Sequence, residues 1–383
     1  MDFGWSATER DLYERTMRFV QDRLGHKMSS SSARGPASDF DREAWRRLGE
    51  FGLLGLCAPE PFGLGLSALA TAHAMEAFGR SCDDMGFVFS AAAHLFTAVM
   101  PIAEHGSDAL RQAMLPRLCS GEWVGANAIT EPDAGSDAFA LRTRATRDGD
   151  SYVLDGTKSY VTNGPVADVI VVYATINPEH GFLGVTAIAV EKDTPGLVVG
   201  KPFEKLGLTT SPISSVYFER CRVPVSHRIG GEGQGAAIFK ASMLWERSCL
   251  FAMYLGLMDR QIEVAVDYAQ RRRQFGRAIG KNQAIAHRIA DMKLRLESAR
   301  LLVYRACWLK GLGEDATQQI ALAKLAVSEA AVQSGLDLIQ IHGGIGVMEE
   351  SGIARMLRDA VPSTIFSGTS EIQRELVAGS LGL

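Results

Sequence analysis

The chain has 383 residues, 46% hydrophobic and 22% charged, enough to bury a large core in two or three domains. A net charge of -4 and a pI near 6.1 leave no electrostatic footprint for nucleic acid, and the basic residues are scattered apart from Arg271-Arg272-Arg273. Six widely separated cysteines, with no Cys-x-x-Cys or Cys/His ligand spacing, argue against a disulfide framework or a zinc site and fit a reducing cytoplasm.

The opening Met1-Asp2-Phe3-Gly4-Trp5 lacks a basic stretch followed by an apolar one, so no secretory leader is expected. Ser6-Ala7-Thr8-Glu9 has capping-box spacing and leads into Leu12, Met17, Phe19, Val20 and Leu24 on a broad helical face. Phe40-Asp41-Arg42-Glu43 opens a second helix through Trp45, Leu48 and Phe51, and helical patterns continue over 67–80, 86–100 and 107–118. The apolar run 86–103 contains His94 and meets Pro101, which predicts a buried helix and no membrane anchor. Gly63-Leu64-Gly65-Leu66-Ser67-Ala68 meets a loose dinucleotide fingerprint, but it follows Pro59-Glu60-Pro61 and not a strand, so a glycine turn entering a helix is expected.

Composition changes near Trp123. Short β-rich runs bounded by Gly, Asn, Asp and Pro follow at 142–147, 152–154, 169–174, 185–190, 197–199 and 215–219. Without interleaved helices they predict a small antiparallel barrel or sandwich. Long periodic segments return at 236–271, 282–310, 315–341 and 353–358, as in a helical bundle with short connections. The expected class is α+β: an α-helical domain over 1–120, an antiparallel β domain over 121–228 and an α-helical bundle over 229–383. In the last, Ser367-Gly368-Thr369-Ser370 is a small polar turn before the amphipathic stretch 372–383. Such a turn feeds N–H groups and hydroxyls toward an anion, and equally serves as an ordinary helix cap.

In the helix around Trp245, steps of three and four from Glu246 reach Ser242, Met243, Cys249, Leu250, Met253 and Leu257, a nearly apolar stripe around one carboxylate. Arg247 should face another way. A functional carboxylate and a solvated one at the stripe's edge are both compatible with this spacing.

Several strings are more specific. Ile129-Thr130-Glu131-Pro132-Asp133-Ala134-Gly135-Ser136-Asp137, Gly156-Thr157-Lys158-Ser159-Tyr160-Val161-Thr162-Asn163-Gly164, Lys205-Leu206-Gly207, Arg272-Arg273-Gln274-Phe275-Gly276, Gln340-Ile341-His342-Gly343-Gly344, Met356-Leu357-Arg358-Asp359 and Gly368-Thr369-Ser370-Glu371-Ile372-Gln373-Arg374 run the length of the chain. Together they resemble the acyl-CoA dehydrogenase family. The resemblance implies bound FAD, with Thr130 and Thr162 at the isoalloxazine edge, Tyr160 stacked on it and Ser136 at the pyrophosphate. It also implies that Arg272, Gln274 and Phe275, with Gln340 and Gly344 nearby, reach the flavin of a neighbouring subunit, and that Thr369 and Glu371 lie toward the adenosine. A homodimer or homotetramer is therefore expected.

In many members of that family a catalytic glutamate precedes Gly-Thr-Ser; here Ser367 stands in its place. The segment Met243-Leu244-Trp245-Glu246-Arg247 lines up with members of the isovaleryl and long-chain types, whose base sits at the position of Glu246 and which also lack the later glutamate. By resemblance Glu246 is the base, and the backbone N–H of Ser367 meets the enolate oxygen. Desolvation should raise the pKa of Glu246. The implied reaction is FAD-dependent α,β-dehydrogenation of an acyl thioester on an acyl carrier protein or coenzyme A, with electron-transfer flavoprotein or oxygen taking the electrons. The strings around Glu246 and Ser367 also resemble natural-product members of the family that act on carrier-tethered acyl groups. The alternatives are a flavin oxidase or monooxygenase on the same fold, and a flavin-binding protein without dehydrogenase activity.

Overall fold

Ser6 Oγ accepts from the Glu9 N–H while the Glu9 carboxylate accepts from the Ser6 N–H at 2.8 Å, and this reciprocal cap starts helix α1 (Ala7–Arg23). The computed structural model describes residues 4–24 and 40–383; Met1–Phe3, used in reading the N-terminus, lie outside them. Asp41 caps α2 (Arg42–Phe51), and Ser67, after the glycine turn at Gly65, caps α3 (Ala68–Ser81). The turn is a helix entry, as its context suggested. Helix α4 (Met85–His94), a π-turn over Leu95–Val99 and α5 (Met100–His105) make one apolar run long enough to cross a membrane, but it is wholly buried inside the protein. Helix α6 (Asp108–Cys119) leads into the sheet.

Eight strands follow: β1 (Gly125–Ala128), β2 (Arg144–Asp148), β3 (Ser151–Thr162), β4 (Val169–Thr175), β5 (Val185–Glu191), β6 (Leu197–Val199), β7 (Ile213–Pro224) and β8 (Arg228–Ile229). They run in the order β6-β7-β3-β2-β4-β5-β8, with β1 added beside β4. The antiparallel expectation needs one correction. Strand β1 pairs with β4 in parallel, and β2 meets β4 in parallel at Arg144 and Thr175, so the sheet is mixed. The β2–β3 hairpin intervenes between β1 and β4, and a connection of that length lets the chain return in the same direction, which a tight turn does not allow. Strand β4 is buried along its whole length: Val169, Val171 and Tyr173 join the core shared with the helices, while Ile170, Val172 and Ala174 fill the inner core of the β domain. That two-sided burial explains the unbroken apolar run Val169–Ala174.

The C-terminal bundle comprises α7 (Gly235–Trp245), a π-turn over Glu246–Leu250, α8 (Ala252–Arg271), α9 (Gln283–Gly311), α10 (Thr317–His342), α11 (Ile353–Ala360) and α12 (Ser370–Ser380). Between α8 and α9 sits the small hairpin β9 (Arg273–Gln274) and β10 (Arg277–Ala278). Polar ties set the three regions against one another. Asp168, before β4, takes Arg42 Nη1 at 2.7 Å, Lys192 Nζ at 2.8 Å and the Val124 N–H. Asn163 donates to the carbonyls of Ser90 and Gly125. Asp359 accepts the Leu208 N–H at 2.6 Å, and a Cβ on Gly207 would lie 2.0 Å from the Arg358 carbonyl oxygen, so only glycine allows the Lys205-Leu206-Gly207 loop to sit against α11.

Candidate active site

Helix α7 runs regularly to Trp245, whose indole N–H donates to Glu104 Oε1 at 2.7 Å. The wider π-turn then begins at Glu246. A π-turn adds a residue to one turn, so side chains beyond it no longer follow the 3.6-residue count. This corrects the expectation for Arg247. It does not face away; its Nε donates to the Ser367 carbonyl at 2.7 Å, on the same loop that Glu246 touches. Glu246 itself is 7% exposed, and Ser367 Oγ donates to its Oε1. Burial pushes the Glu246 carboxyl above its ordinary range, opposed by the Ser367 hydroxyl and by the charges of Arg247 and Lys324.

The loop that meets Glu246 is unusual in its backbone. Ser367 has φ +58° and Gly368 φ +86°. A Cβ on Gly368 would approach Arg247 Nη2 and Gln373 Nε2 to 3.0 Å each, so glycine is needed there for conformation and for space. Gln373 Nε2 holds the Gly368 carbonyl at 3.0 Å, and Thr369 caps α12 through the Ile372 N–H. The Ser367 N–H has no protein acceptor among the described residues, and it lies on the residue whose hydroxyl reaches the carboxylate. A left-handed residue other than glycine is sparsely populated and persists where its surroundings over-determine it, here Arg247 and Glu246.

A second group gathers on the β domain. The Ser159 N–H donates to the Thr130 carbonyl at 2.8 Å, which brings Thr130 against the stretch of β3 that carries Tyr160 and Thr162. Beneath them Lys158, fully buried, donates to the Ile129 carbonyl at 2.9 Å and to Glu131 Oε1 at 2.7 Å, while Glu131 also takes the N–H groups of Arg142 and Thr143. Burial alone would raise the Glu131 carboxyl; the Lys158 ammonium holds it below the ordinary range. This buried ion pair joins the two motif loops, a role that spacing could not reveal because the partners are far apart in sequence. The side chains of Thr130 and Thr162 are half-buried, and neither hydroxyl takes a protein partner among the described residues. Tyr160 is 66% exposed at φ +55°, its ring 5.8 Å from that of Phe203. Ser136 is exposed on the loop that follows β1.

The remaining expected residues lie apart from Glu246. Arg272 caps the C-terminus of α8, and Gln274 and Phe275 follow on the β9–β10 hairpin; all three are exposed, with Phe275 at φ +52° and 97% exposed. Gln340 and Gly344 are exposed at the end of α10, and Tyr268, one turn before Arg272, stacks on His342 at 4.2 Å between ring centres. Arg272 and the Gln340–Gly344 stretch are therefore neighbours. Thr369 and Glu371 lie just beyond the Ser367 loop. The chain thus brings Glu246, Arg247 and Ser367 into one cluster, Thr130, Tyr160 and Thr162 into a second, and the hairpin with the end of α10 into a third. The sequence reading missed Arg247, Glu131 with Lys158, and Lys324; the last is a charged residue within the heavily buried stretch Ile320–Val327 of α10, the one signal that pointed to it.

Models of three consecutive domains match the chain: "Acyl-CoA dehydrogenase, N-terminal domain" over residues 6–122, "middle domain" over 126–221 and "C-terminal domain" over 233–382. The chain belongs to the acyl-CoA dehydrogenase family, and with it to the oxidoreductases. Among its relatives, an L-prolyl-[peptidyl-carrier protein] dehydrogenase of Pseudomonas fluorescens is 52% identical, over 90% of this chain and 91% of that protein. The solved structure of PigA with FAD and proline superposes with a TM-score of 0.97 at 44% identity, covering 100% of both chains. The prolyl acyl carrier protein oxidase AnaB does so with a TM-score of 0.96 at 40% identity, covering 99% of this chain and 100% of that one.

Proposed function

We propose that this protein is an FAD-dependent dehydrogenase of a carrier-bound acyl thioester in natural-product biosynthesis, with an L-prolyl thioester as substrate. The observation that carries the chemistry is the buried Glu246 carboxylate, held by the Ser367 hydroxyl beside a Ser367 N–H that has no protein acceptor among the described residues. The relatives' names support the prolyl group and the carrier. The sequence boundaries at 120 and 228 divide the labour: the β domain offers the flavin-edge residues, and the C-terminal bundle offers the base.

The residues present fit FAD. Thr130 and Thr162 offer hydroxyls without a protein partner among the described residues, Tyr160 an exposed ring, and Gly343-Gly344 a surface where an added Cβ would meet nothing within 4 Å. When bound, FAD supplies the two-electron acceptor for the departing β-hydride. Glu246 takes the α-proton on a carboxylate oxygen. The Ser367 N–H meets the thioester oxygen as negative charge develops on it, and Arg247 fixes that N–H by holding the Ser367 carbonyl. The Ser367 hydroxyl orients Oε1 and leaves Oε2 free to receive the proton. Arg272, Gln274 and Phe275, bare on this chain, are assigned to the flavin of a neighbouring subunit, with Gln340 and Gly344 beside them and Thr369 and Glu371 toward the adenosine.

The test is anaerobic mixing of the flavin-loaded protein with the L-prolyl thioester on carrier protein and, separately, on coenzyme A. Flavin bleaching with a higher kcat/KM for the carrier thioester is expected; equal or better kcat/KM with coenzyme A would reject the carrier assignment. A second reading, an oxidase, draws support from the similarity to AnaB. Admitting oxygen to the bleached enzyme separates the two: rapid reoxidation with turnover marks an oxidase, and slow reoxidation unless electron-transfer flavoprotein is added marks a dehydrogenase.

A further inference from the structure

Lys324 lies on α10, fully buried, and its Nζ makes no hydrogen bond and no ion pair among the described residues. The ammonium stands 5.4 Å from the centre of the Phe251 ring. Phe251 in turn packs 5.4 Å from Phe366, the residue before Ser367. One turn along α10, the Ser328 hydroxyl bonds the Lys324 carbonyl at 2.8 Å and the Ser363 carbonyl at 3.0 Å, tying this part of the helix to the segment that leads into the Ser367 loop. The charged groups whose electrostatic influence reaches Lys324 include Arg247 and Glu246 on the π-turn, Glu371 on α12 and Glu329 on α10 itself. Of the three carboxylates among these, Glu246 alone is buried.

An ammonium without a hydrogen-bond partner in an apolar interior is costly, and cation–π attraction offsets only part of that cost. A nearby buried carboxylate offsets the rest, because Coulomb attraction is weakly screened there. We propose that Lys324 is a positioning residue for the reaction, a fixed buried counter-charge that keeps Glu246 ionised inside its apolar enclosure and so ready to accept a proton. This rests on Glu246 being the base. Arg247 is committed to the Ser367 carbonyl, which leaves Lys324 as the unshared cation of the cluster. Burial, with Arg247 nearby, lowers the Lys324 ammonium to about 8, so it remains charged through neutral pH.

The experiment follows the Glu246 carboxyl directly, as the protonated-carboxyl infrared band that Glu246→Gln removes, across pH in the flavin-loaded protein without substrate. In Lys324→Met, which keeps the length of the chain and removes the charge, the band is expected to persist to higher pH than in wild type. Lys324→Arg restores the wild-type titration. The acid limb of the flavin-bleaching profile moves with the band, giving about a three- to tenfold loss of kcat/KM on the limb and none on the alkaline plateau. Coincident titrations in Lys324→Met and wild type overturn the inference, even if melting temperature falls, since a merely structural lysine lowers stability without moving Glu246. If Lys324→Met does not fold, the Glu246→Gln/Lys324→Met double variant, in which neither partner is charged, is expected to fold; its failure also overturns the inference. A titration that moves while the bleaching profile stays put supports the counter-charge role and rejects Glu246 as the base.

Discussion

Glu246→Gln removes the base while keeping the side chain's volume and its contact with the Ser367 loop. The amide has the volume of the carboxylate, and its oxygen can still accept from Ser367 Oγ, so the Ser367 loop keeps its contact. What is lost is the site for the α-proton. Removing a general base costs about two to four orders of magnitude in rate. At 1.36 kcal/mol per tenfold that is roughly 3 to 5 kcal/mol of barrier. Glutamine removes the penalty of burying a charged carboxyl but also leaves Lys324 without its counter-charge, so a lower melting temperature with fold and flavin content retained is expected. The assay is anaerobic stopped-flow reduction of bound flavin by the thioester, with flavin content and melting temperature as controls. Ser367→Ala should change the rate only modestly, since the backbone N–H and the Arg247 contact both survive. Placing Glu at 367 in the Glu246→Gln background should return part of the activity, because the 367 side chain already reaches the Glu246 carboxyl. If Glu246→Gln bleaches the flavin as fast as wild type while Ser367→Ala does not, the assignment of the base is wrong.

Arg272→Ala should weaken flavin retention and loosen the oligomer together, read by absorbance after gel filtration and by sedimentation; a protein that stays monomeric and colourless with added FAD would defeat the shared-flavin reading. Lys158→Met leaves Glu131 buried without its cation, a change that costs about 3 to 5 kcal/mol in comparable ion pairs, so a lower melting temperature and loss of flavin are expected. Unchanged flavin affinity there would show that the two motif loops are not held by this pair. Burial pushes the Asp359 carboxyl from 3.8 up to about 6, so its contribution to stability is fully present below pH 3.8 and is lost as pH rises through 6. The difference of 2.2 between 6 and 3.8 corresponds to about 3 kcal/mol. Asp359→Asn, which can still accept from Leu208, should therefore melt higher than wild type above pH 6 and converge with it near pH 4; parallel melting curves would refute this.

Local sequence was sufficient for most elements, because caps and periodicity act over a few residues. Ser6 with Glu9, Asp41 and Ser67 each start a helix where the residue type says one should start. The run 85–105 carried its own marks of burial, a histidine and a proline within an apolar stretch. The parallel pairing of β1 with β4 was not legible, since strand direction depends on where the chain returns and not on the side chains of either strand. At the site, the motifs named Glu246 and Ser367 by resemblance, and no spacing rule connects residues 121 positions apart. Arg247 illustrates the limit most plainly: a helical count sends it away from Glu246, but one π-turn redirects it to the Ser367 loop. Lys324 and the Glu131–Lys158 pair belong to the same class, charges whose meaning is set by a partner from another element. The sequence by itself marked the helices and the central strands β2 to β7, though not β1, β8 or the β9–β10 hairpin, and by resemblance it named candidate side chains for the chemistry. Only the packing of α7, α10 and the Ser367 loop decided which charges share one enclosure, because electrostatic coupling depends on distance and desolvation in the folded molecule and neither is written along the chain.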